Sequence, residues 1–153
     1  MTAPAPEPEP DLRIERAASI QQVLAAGSLF DAEPEPAVTE RFLASDGHHL
    51  LIAYDGAASA VGFVSGIEMT HPDKGTEMFL YELGVGEQAR RRGVASRLVS
   101  ALSDLARSRG CYAMWVLTDT DNVAAEAMYR KAGPQDAEAV EMYSWDLATG
   151  SDR

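Results

Sequence analysis

The fold is decided by residues 78–117, which read MFLYELGVGEQARRRGVASRLVSALSDLARSRGCYAMWVL. Residues 78–85 form an apolar run that is typical of a strand. From Gly93 onward, apolar residues recur at helical spacing until Gly110 ends the helix, and residues 111–117 are a second compact apolar strand. A strand, a helix and a strand in this order predict a parallel crossover unit with a right-handed connection.

The residues before this unit predict an antiparallel meander. Residues 49–54 and 60–69 are strand-like runs joined by Asp55-Gly56, a strong turn signal, and a second turn at 71–75 leads into the strand at 78–85. Further upstream, the pattern predicts a short edge strand over 11–16, a helix capped by Ser19 that reaches about Phe30, and a short helix over 37–44. Meander and crossover together predict an α/β protein with a mixed sheet.

The residues after the crossover predict one more helix and one more strand. The polar stretch 118–122 leads into a helix that reaches about Ala132 and is stopped by Gly133-Pro134. Residues 138–147 alternate well enough to predict a final strand, with Val140, Met142 and Trp145 as apolar members. We expect one domain over 11–148, a disordered Pro/Glu-rich tail over 1–10 and a flexible end over 149–153.

Length and composition exclude several classes of protein. The chain has 153 residues, of which 46% are hydrophobic and 24% charged, and no window approaches eighteen uninterrupted apolar residues, so we expect no membrane span. The first residues carry neither a basic region nor an apolar stretch, so we expect a cytoplasmic protein rather than a secreted one. Cys111 is the one cysteine, which argues against an internal disulfide framework and a multi-cysteine metal site.

The charge is unevenly distributed along the chain. The net charge of -11 argues against general binding to nucleic acids or anionic membranes. Residues 90–109 nevertheless hold six arginines and one acid, so this segment is positive and the remainder strongly negative. We expect an anion to bind in this segment and a cation to bind elsewhere.

The junction before the predicted central helix has the composition of a phosphate-binding loop. The first turn of a helix leaves N–H groups unpaired, the helix dipole adds partial positive charge, and glycine lets a ligand approach the backbone. Arg90-Arg91-Arg92-Gly93-Val94-Ala95 stands at that junction, although a basic helix start exposed to solvent has the same composition. The overlapping Gly84-Val85-Gly86-Glu87-Gln88-Ala89 satisfies the dinucleotide-binding glycine pattern, but the antiparallel meander before it argues against that fold.

Two spaced motifs resemble the GCN5-related N-acetyltransferases, or GNAT superfamily. The acetyl-CoA loop of that family has the form Gln/Arg-x-x-Gly-x-Gly/Ala, which residues 90–95 match. A second family pattern appears as Asn122, Ala125, Tyr129 and Gly133, with Pro134 where phenylalanine is usual. The resemblance implies an α/β (mixed) GNAT fold: a mostly antiparallel sheet of six to seven strands, flanked by about four helices and splayed between the fourth and fifth strands.

The resemblance also implies acetyl-CoA as co-substrate and direct attack of an amine on its thioester. Glu82 would act as base or bind the ammonium group, unless it is simply a strand acid facing solvent. Tyr129 would act as acid, unless it is a core tyrosine, and Asn122 would bond the cofactor's arm, unless it only caps its helix. The implied cofactor-binding residues are Leu83, Val85, Arg90, Arg91, Arg92, Gly93, Val94, Ala95, Ser96, Asn122 and Tyr129.

A narrower resemblance concerns the acceptor. Tyr81-Glu82-Leu83-Gly84-Val85 looks like the strand before the anion loop in aminoglycoside 3-N-acetyltransferases, with glutamate where aspartate is common. This implies a polycationic acceptor, bound by Tyr81, Glu82, Asp119 and Asp121, with Glu68 or Glu141 as further candidates.

Other functional interpretations of the same residues remain open. Acyltransferases for polyamines, peptide termini and other small amines share much of the pattern, and an acyl-CoA-binding sensor with idle catalytic groups is the non-enzyme alternative. Family analogy also implies a homodimer through a terminal strand from about Glu138. His48, His49 and His71 are interpreted as surface or packing residues, and no metal site is expected.

Overall fold

The computed structural model describes residues 11–56 and 59–148, so the predicted tail at 1–10 and the predicted end at 149–153 lie outside the described residues. The described residues form one five-stranded sheet in the order β1-β2-β3-β4-β5. Pairing is antiparallel from β1 to β4 and parallel between β4 and β5. The strands are β1 (Leu12–Arg16), β2 (His48–Asp55), β3 (Ser59–His71), β4 (Gly75–Val85) and β5 (Ala113–Val116).

Four α-helices accompany the sheet in the described chain, as predicted. They are α1 (Ile20–Ala25), α2 (Pro36–Ala44), α3 (Val94–Ser108) and α4 (Val123–Lys131), and short 3-10 turns occur at Gly27–Leu29 and Glu87–Ala89. The predicted helix cap at Ser19 is confirmed, because Ser19 and Gln22 form a reciprocal capping box. The helix predicted to reach Phe30 ends earlier, at Ala25, and its last part is the 3-10 turn that begins at Gly27.

The prediction of six to seven strands is wrong for the described residues, which contain five. The missing element is the strand expected over 138–147, which has no strand pairing in the structure. Alternation alone does not make a strand, because the backbone also needs a neighbour with which to hydrogen-bond.

The main core lies between α3 and the sheet. The helix buries Val94, Leu98, Val99, Leu102 and Ala106 against apolar residues of β2, β3 and β4. Glycine is required in β3 for this close approach, because a Cβ at position 66 would lie 2.7 Å from a methyl carbon of Leu102. The helices α1 and α2 cover the opposite face through a smaller cluster around Ile52 and Phe63.

A β-bulge in β4 changes the direction of its last residues. Ser65 pairs with Glu82 and Gly66 pairs with Leu80, so Tyr81 is the extra residue. Before the bulge, the side chains of Met78 and Leu80 face α3. In a regular strand, side chains alternate between the two faces, so Glu82 would also face α3 if the bulge were absent. The bulge instead puts Glu82 on the opposite face of the sheet, next to Ser65.

A charged network joins the end of α3 to the sheet, away from the β4 bulge. His49 is almost fully buried and lies 2.7 Å from the Glu68 carboxylate, which also accepts a bond from Arg109. Arg109 in turn pairs with Asp46 at 2.7 Å. Burial lowers the pKa of His49; burial alone would raise the pKa of Glu68, but the bonds from His49 and Arg109 outweigh it and lower that pKa. Glu68, one of the candidate acceptor contacts, is therefore engaged in this network.

Candidate active site

The sheet opens between β4 and β5. Their parallel pairing joins Glu77–Leu80 of β4 with Ala113–Val116 of β5. Beyond Leu80 the strand β4 continues to Val85, and within the described residues no strand pairs with this outer edge. The splay therefore falls between the fourth and fifth strands, as the sequence resemblance implied.

An open cleft of about 560 Å³ occupies this splay. One wall is the end of β4, a second is the first turn of α4, and a third is the segment after α1. The lining residues are Ser28, Leu29, Asp31, Leu83, Gly84, Val85, Gly86, Glu87, Arg90, Asn122, Ala124 and Ala125.

Backbone groups of β4 point into the cleft. The N–H of Gly86 donates to the carbonyl of Val61 at 2.8 Å, so the alternation of an antiparallel pair turns the N–H and C=O groups of Leu83 and Val85 away from β3. The side chain of Arg90 confirms this direction for one group, since its Nε donates to the Val85 carbonyl at 3.4 Å. A ligand lying along β4 therefore meets alternating donors and acceptors.

The loop before α3 has an unusual backbone. Arg91 has a φ of 64°, in the left-handed region that non-glycine residues seldom adopt, and Gly93 has a φ of 77°. Gly93 is the N-cap of α3 and provides no side-chain cap, whereas Ser19 and Asn122 accept bonds from the first turns of α1 and α4. The first N–H groups of α3, at Val94, Ala95 and Ser96, are therefore available to an anionic ligand.

The three arginines of the loop have different surroundings. Arg90 lines the cleft. Arg91 is exposed, and Arg92 lies 3.0 Å from the carboxylate of Asp55, at the end of β2. The sequence motif treats these arginines alike, but the structure puts one of them in the cleft and one in an ion pair.

Glu82 lies close to a second carboxylate. The Glu82 backbone N–H donates to the Ser65 hydroxyl at 3.1 Å, which fixes the backbone just after the bulge. Burial raises the pKa of the Glu82 carboxyl, and the negative charge of Asp31 raises it further. Asp31 lines the cleft, whereas Glu82 is not among its lining residues.

The helix α4 contributes the second family motif. The Asn122 side-chain oxygen accepts from the Ala125 N–H at 3.1 Å, so Asn122 does cap its helix, and both residues line the cleft. Tyr129 is half-buried and packs against the α3 core, and burial raises the pKa of its phenol. Tyr129 is not among the residues that line the cleft.

Like Glu82, the other predicted acceptor residues lie outside the cleft lining. Tyr81 is exposed and contacts Phe79 edge-on, with ring centroids 5.6 Å apart. Asp119 and Asp121 are exposed in the turn before α4, where their backbone carbonyls accept bonds from Asn122 and Val123. Glu141 is exposed in the unpaired segment after α4.

Sequence reasoning missed one wall of the cleft. Ser28, Leu29 and Asp31 belong to the segment after α1, and Glu87 to the turn after β4. Nothing periodic in the segment around Asp31 marks it as a neighbour of β4, because only the packing of α1 on the sheet brings it there. Its acidic, proline-rich composition signals a loop and no more.

Residues 16–133 match the model of the acetyltransferase (GNAT) family. The chain belongs to this family and is an N-acetyltransferase. Among curated proteins, none matches the sequence.

Solved structures of aminoglycoside acetyltransferases share the fold. One from an uncultured soil metagenomic sample, HMB0005, is 27% identical, with a TM-score of 0.77, 90% of this chain covered and 99% of that chain. Another from such a sample, in complex with trehalose, is 20% identical, with a TM-score of 0.83 and coverages of 90% and 97%. The aminoglycoside N-acetyltransferase AAC(6')-Iy in complex with CoA is 22% identical, with a TM-score of 0.76 and coverages of 92% and 99%.

Across 11–56 and 59–148, no helix has the length and apolar character needed to cross a membrane. In the same residues, no group of three or more His, Cys, Asp or Glu side chains is arranged to hold a metal ion.

Proposed function

We propose that this N-acetyltransferase acts on an amine of a polycationic small molecule, with an aminoglycoside as the best candidate. The observation that carries the proposal is the polarity of one cleft. Arg90 and Asp31 both line it; the uncapped start of α3 follows Arg90 in the chain, and the Glu82 carboxylate lies near that of Asp31. An anionic co-substrate and a cationic acceptor can thus approach each other in one groove.

The residues of the loop fit the diphosphate of coenzyme A. The uncapped N–H groups at Val94, Ala95 and Ser96 are donors for phosphate oxygens, and the left-handed conformation at Gly93 turns the backbone into the helix. The outward backbone groups of Leu83 and Val85, together with the Asn122 amide, would hold the amide-bearing arm. When bound, acetyl-CoA supplies the acetyl group as an activated thioester.

Glu82 is the candidate base. A raised pKa makes its carboxylate a stronger proton acceptor than a free glutamate, and its exposure near Asp31, which lines the cleft, leaves it open to an amine or to a bridging water. In this role Glu82 takes the proton that the acceptor amine loses on attack. The neighbouring Asp31 adds a second negative charge that attracts an ammonium group.

The reaction also needs a hydrogen-bond donor for the thioester carbonyl oxygen and an acid for the leaving thiolate. An outward N–H of Leu83 or Val85 can donate to the carbonyl oxygen that gains charge. The Tyr129 phenol, like any tyrosine, is protonated at neutral pH, and burial raises its pKa further; it is the candidate acid for the leaving thiolate. Its position behind the cleft lining means that the α4 side chain must turn toward the groove, or act through water.

The position of the acetylated nitrogen is the most specific part of the proposal. The sequence resemblance favours the 3-N position of an aminoglycoside. The name of AAC(6')-Iy gives the 6' position instead. That protein has the same fold, but at 22% identity the similarity supports the fold alone. Polyamines and peptide termini remain candidate acceptors for the same machinery, and Asp119 and Asp121 remain candidate acceptor contacts.

Titration calorimetry and a thiol-release screen test the proposal together. We expect heat on titrating coenzyme A into the protein, and thiol release with gentamicin-type aminoglycosides above that with polyamines or peptides. Mass spectrometry and NMR of the product then identify the acetylated nitrogen. Absence of heat overturns the proposed site; heat without turnover on any amine favours a sensor that binds acyl-CoA.

A further inference from the structure

A buried hydroxyl group pairs with Glu82 across the sheet. Ser65, in β3, is only 7% exposed. It is the Cα partner of Glu82 in the register of β3 and β4, so the two side chains stand on the same face, opposite α3. Burying a hydroxyl costs free energy unless it forms hydrogen bonds, so a serine at this position calls for a structural reason.

The reason lies in the bulge of β4. Gly86 donates its N–H to the Val61 carbonyl, and Glu82 lies four residues earlier, so the alternation of an antiparallel pair also turns the Glu82 N–H toward β3. Because Tyr81 is the extra residue, the regular ladder is interrupted just before this N–H. The Ser65 hydroxyl accepts the Glu82 N–H at 3.1 Å. A side chain of β3 therefore fastens the bulge at the residue that carries the carboxylate.

The direction of the Glu82 side chain depends on this bulge. In a regular strand it would face α3, whereas after the bulge it faces the side of Asp31. Burial raises the pKa of the Glu82 carboxyl, and the charge of Asp31 raises it further, so the two carboxylates are close. Two like charges repel each other, and a carboxylate that was free to turn would move away from Asp31 into water. A fixed backbone at Glu82 restrains that movement.

We propose that Ser65 is a positioning residue for acetyl transfer: its hydroxyl holds the bulge so that the Glu82 carboxylate stays beside Asp31, where the acceptor amine reaches it. This inference rests on the proposed role of Glu82 as base. Ser65 contacts neither substrate and transfers no proton; it acts through the backbone of Glu82 and is not among the residues that line the cleft.

Two variants of nearly the same shape separate the hydroxyl from the packing. Ser65→Thr keeps a hydroxyl and Ser65→Val replaces it with a methyl group, and both residues are β-branched and suit a strand. Ser65→Val should lower kcat by about 10- to 100-fold and leave the KM of acetyl-CoA unchanged, because a displaced base loses its alignment with the amine. Ser65→Thr should retain most of kcat. Rates are measured by thiol release, with the amine that the acceptor screen finds most active.

A control variant accounts for the loss of any buried hydroxyl. Thr39→Val removes the hydroxyl of another buried residue, which lies in α2, and should leave kcat unchanged. Circular dichroism of all three variants shows whether each is folded at the assay temperature.

NMR titration of the Glu82 carboxyl tests the same geometry without turnover. Glu82→Gln identifies the carboxyl-carbon resonance by its disappearance. In Ser65→Val the pKa of this carboxyl should move toward that of a free glutamate, because the released side chain gains water and leaves Asp31, whereas in Ser65→Thr it should stay raised.

The possible failures have different signatures. An unshifted Glu82 titration in Ser65→Val would show that the hydroxyl does not position the carboxylate, and would overturn the inference. Equal kcat values in Ser65→Val and Ser65→Thr, with Glu82→Gln still impaired, would also overturn it and would leave Glu82 as the base. Full activity of Glu82→Gln would instead remove Glu82 from the mechanism, and the role of Ser65 with it.

Discussion

At the scale of single residues, the charge of Asp31 contributes to the raised pKa of Glu82. Burial is the larger cause of the raised Glu82 pKa and the Asp31 charge the smaller one. If Glu82 works as a base, the rate falls as the pH drops through its raised pKa, because the protonated acid accepts no proton. Asp31→Asn removes only the electrostatic cause, so we expect the acidic limb of kcat/KM to move to lower pH without disappearing.

The control for Asp31→Asn is a second acid in the same loop. Glu33→Gln neutralises another exposed acid of this segment that does not line the cleft, and should leave the acidic limb in place. Glu82→Gln should lower kcat/KM by about 100-fold and abolish the limb. A loss on Glu82→Gln that is uniform across pH would assign Glu82 to acceptor binding instead of proton transfer.

Tyr129 carries a second prediction at this scale. Tyr129→Phe keeps the aromatic packing on the α3 core and removes only the hydroxyl, so stability and affinity for acetyl-CoA should change little. If the phenol protonates the leaving thiolate, kcat should fall by about 100-fold. Stopped-flow thiol release measures kcat, and Tyr54→Phe, a partly buried tyrosine in the cluster on the other face, is the control. Unchanged turnover in Tyr129→Phe would make Tyr129 a packing residue.

At the scale of elements, the two ends of α3 offer a matched comparison. Gly93 precedes the helix with a φ of 77° and Gly110 follows it with a φ of 79°, and a Cβ at either position would meet no atom within 4 Å. Alanine therefore costs about 1–2 kcal/mol of left-handed backbone strain at each site and no steric clash. Gly93→Ala and Gly110→Ala should lower the free energy of unfolding alike.

Only the first of these variants should affect the co-substrate. Because Gly93 sets the direction of the first N–H groups of α3, Gly93→Ala should weaken coenzyme A binding by about 10-fold or more. Calorimetric titration of both variants, with unfolding followed by circular dichroism, separates the two effects. Equal affinities in the two variants would mean that the loop before α3 does not hold the diphosphate.

The elements differ in how well the sequence predicts them, and the reason is the range of the interactions involved. The helix α3 follows from a local repeat of apolar residues, and the turn at Asp55-Gly56 follows from local backbone preference. The bulge at Tyr81 has no local signal in the sequence of β4, and only the pairing with β3 reveals it. The strand predicted at 138–147 failed because strand formation depends on a neighbour that the sequence pattern cannot supply.

The site residues divide in the same way. Gly93 and Asn122 lie where their motifs indicated, because loop and helix starts are local features. The separation of Arg90 from Arg92, with only the latter paired to Asp55, depends on a contact between residues 37 positions apart. Asp31 reaches the cleft through tertiary packing alone, and no spacing rule could have identified it.

At the scale of the whole molecule, the net charge of -11 favours a cationic acceptor over an anionic one. The co-substrate is itself an anion, so it must be attracted locally, by the basic start of α3. The acceptor can instead be attracted by the field of the whole surface, which concentrates a polycation near the acidic mouth of the cleft. This division of charge makes the two substrates respond differently to salt.

Raising the ionic strength from about 0.05 M to about 0.5 M shortens the screening length from about 14 Å to about 4 Å and should lower kcat/KM for an aminoglycoside steeply. A monoamine acceptor carries one charge and should lose much less, because its attraction to the summed field is weaker. Initial rates at saturating acetyl-CoA, for both acceptors over the same salt series, measure the difference. Saturation with the co-substrate keeps its own salt dependence out of the comparison. If both acceptors respond equally, the acidic surface does not steer the acceptor, and its attraction to the cleft must come from Asp31 and Glu82 alone.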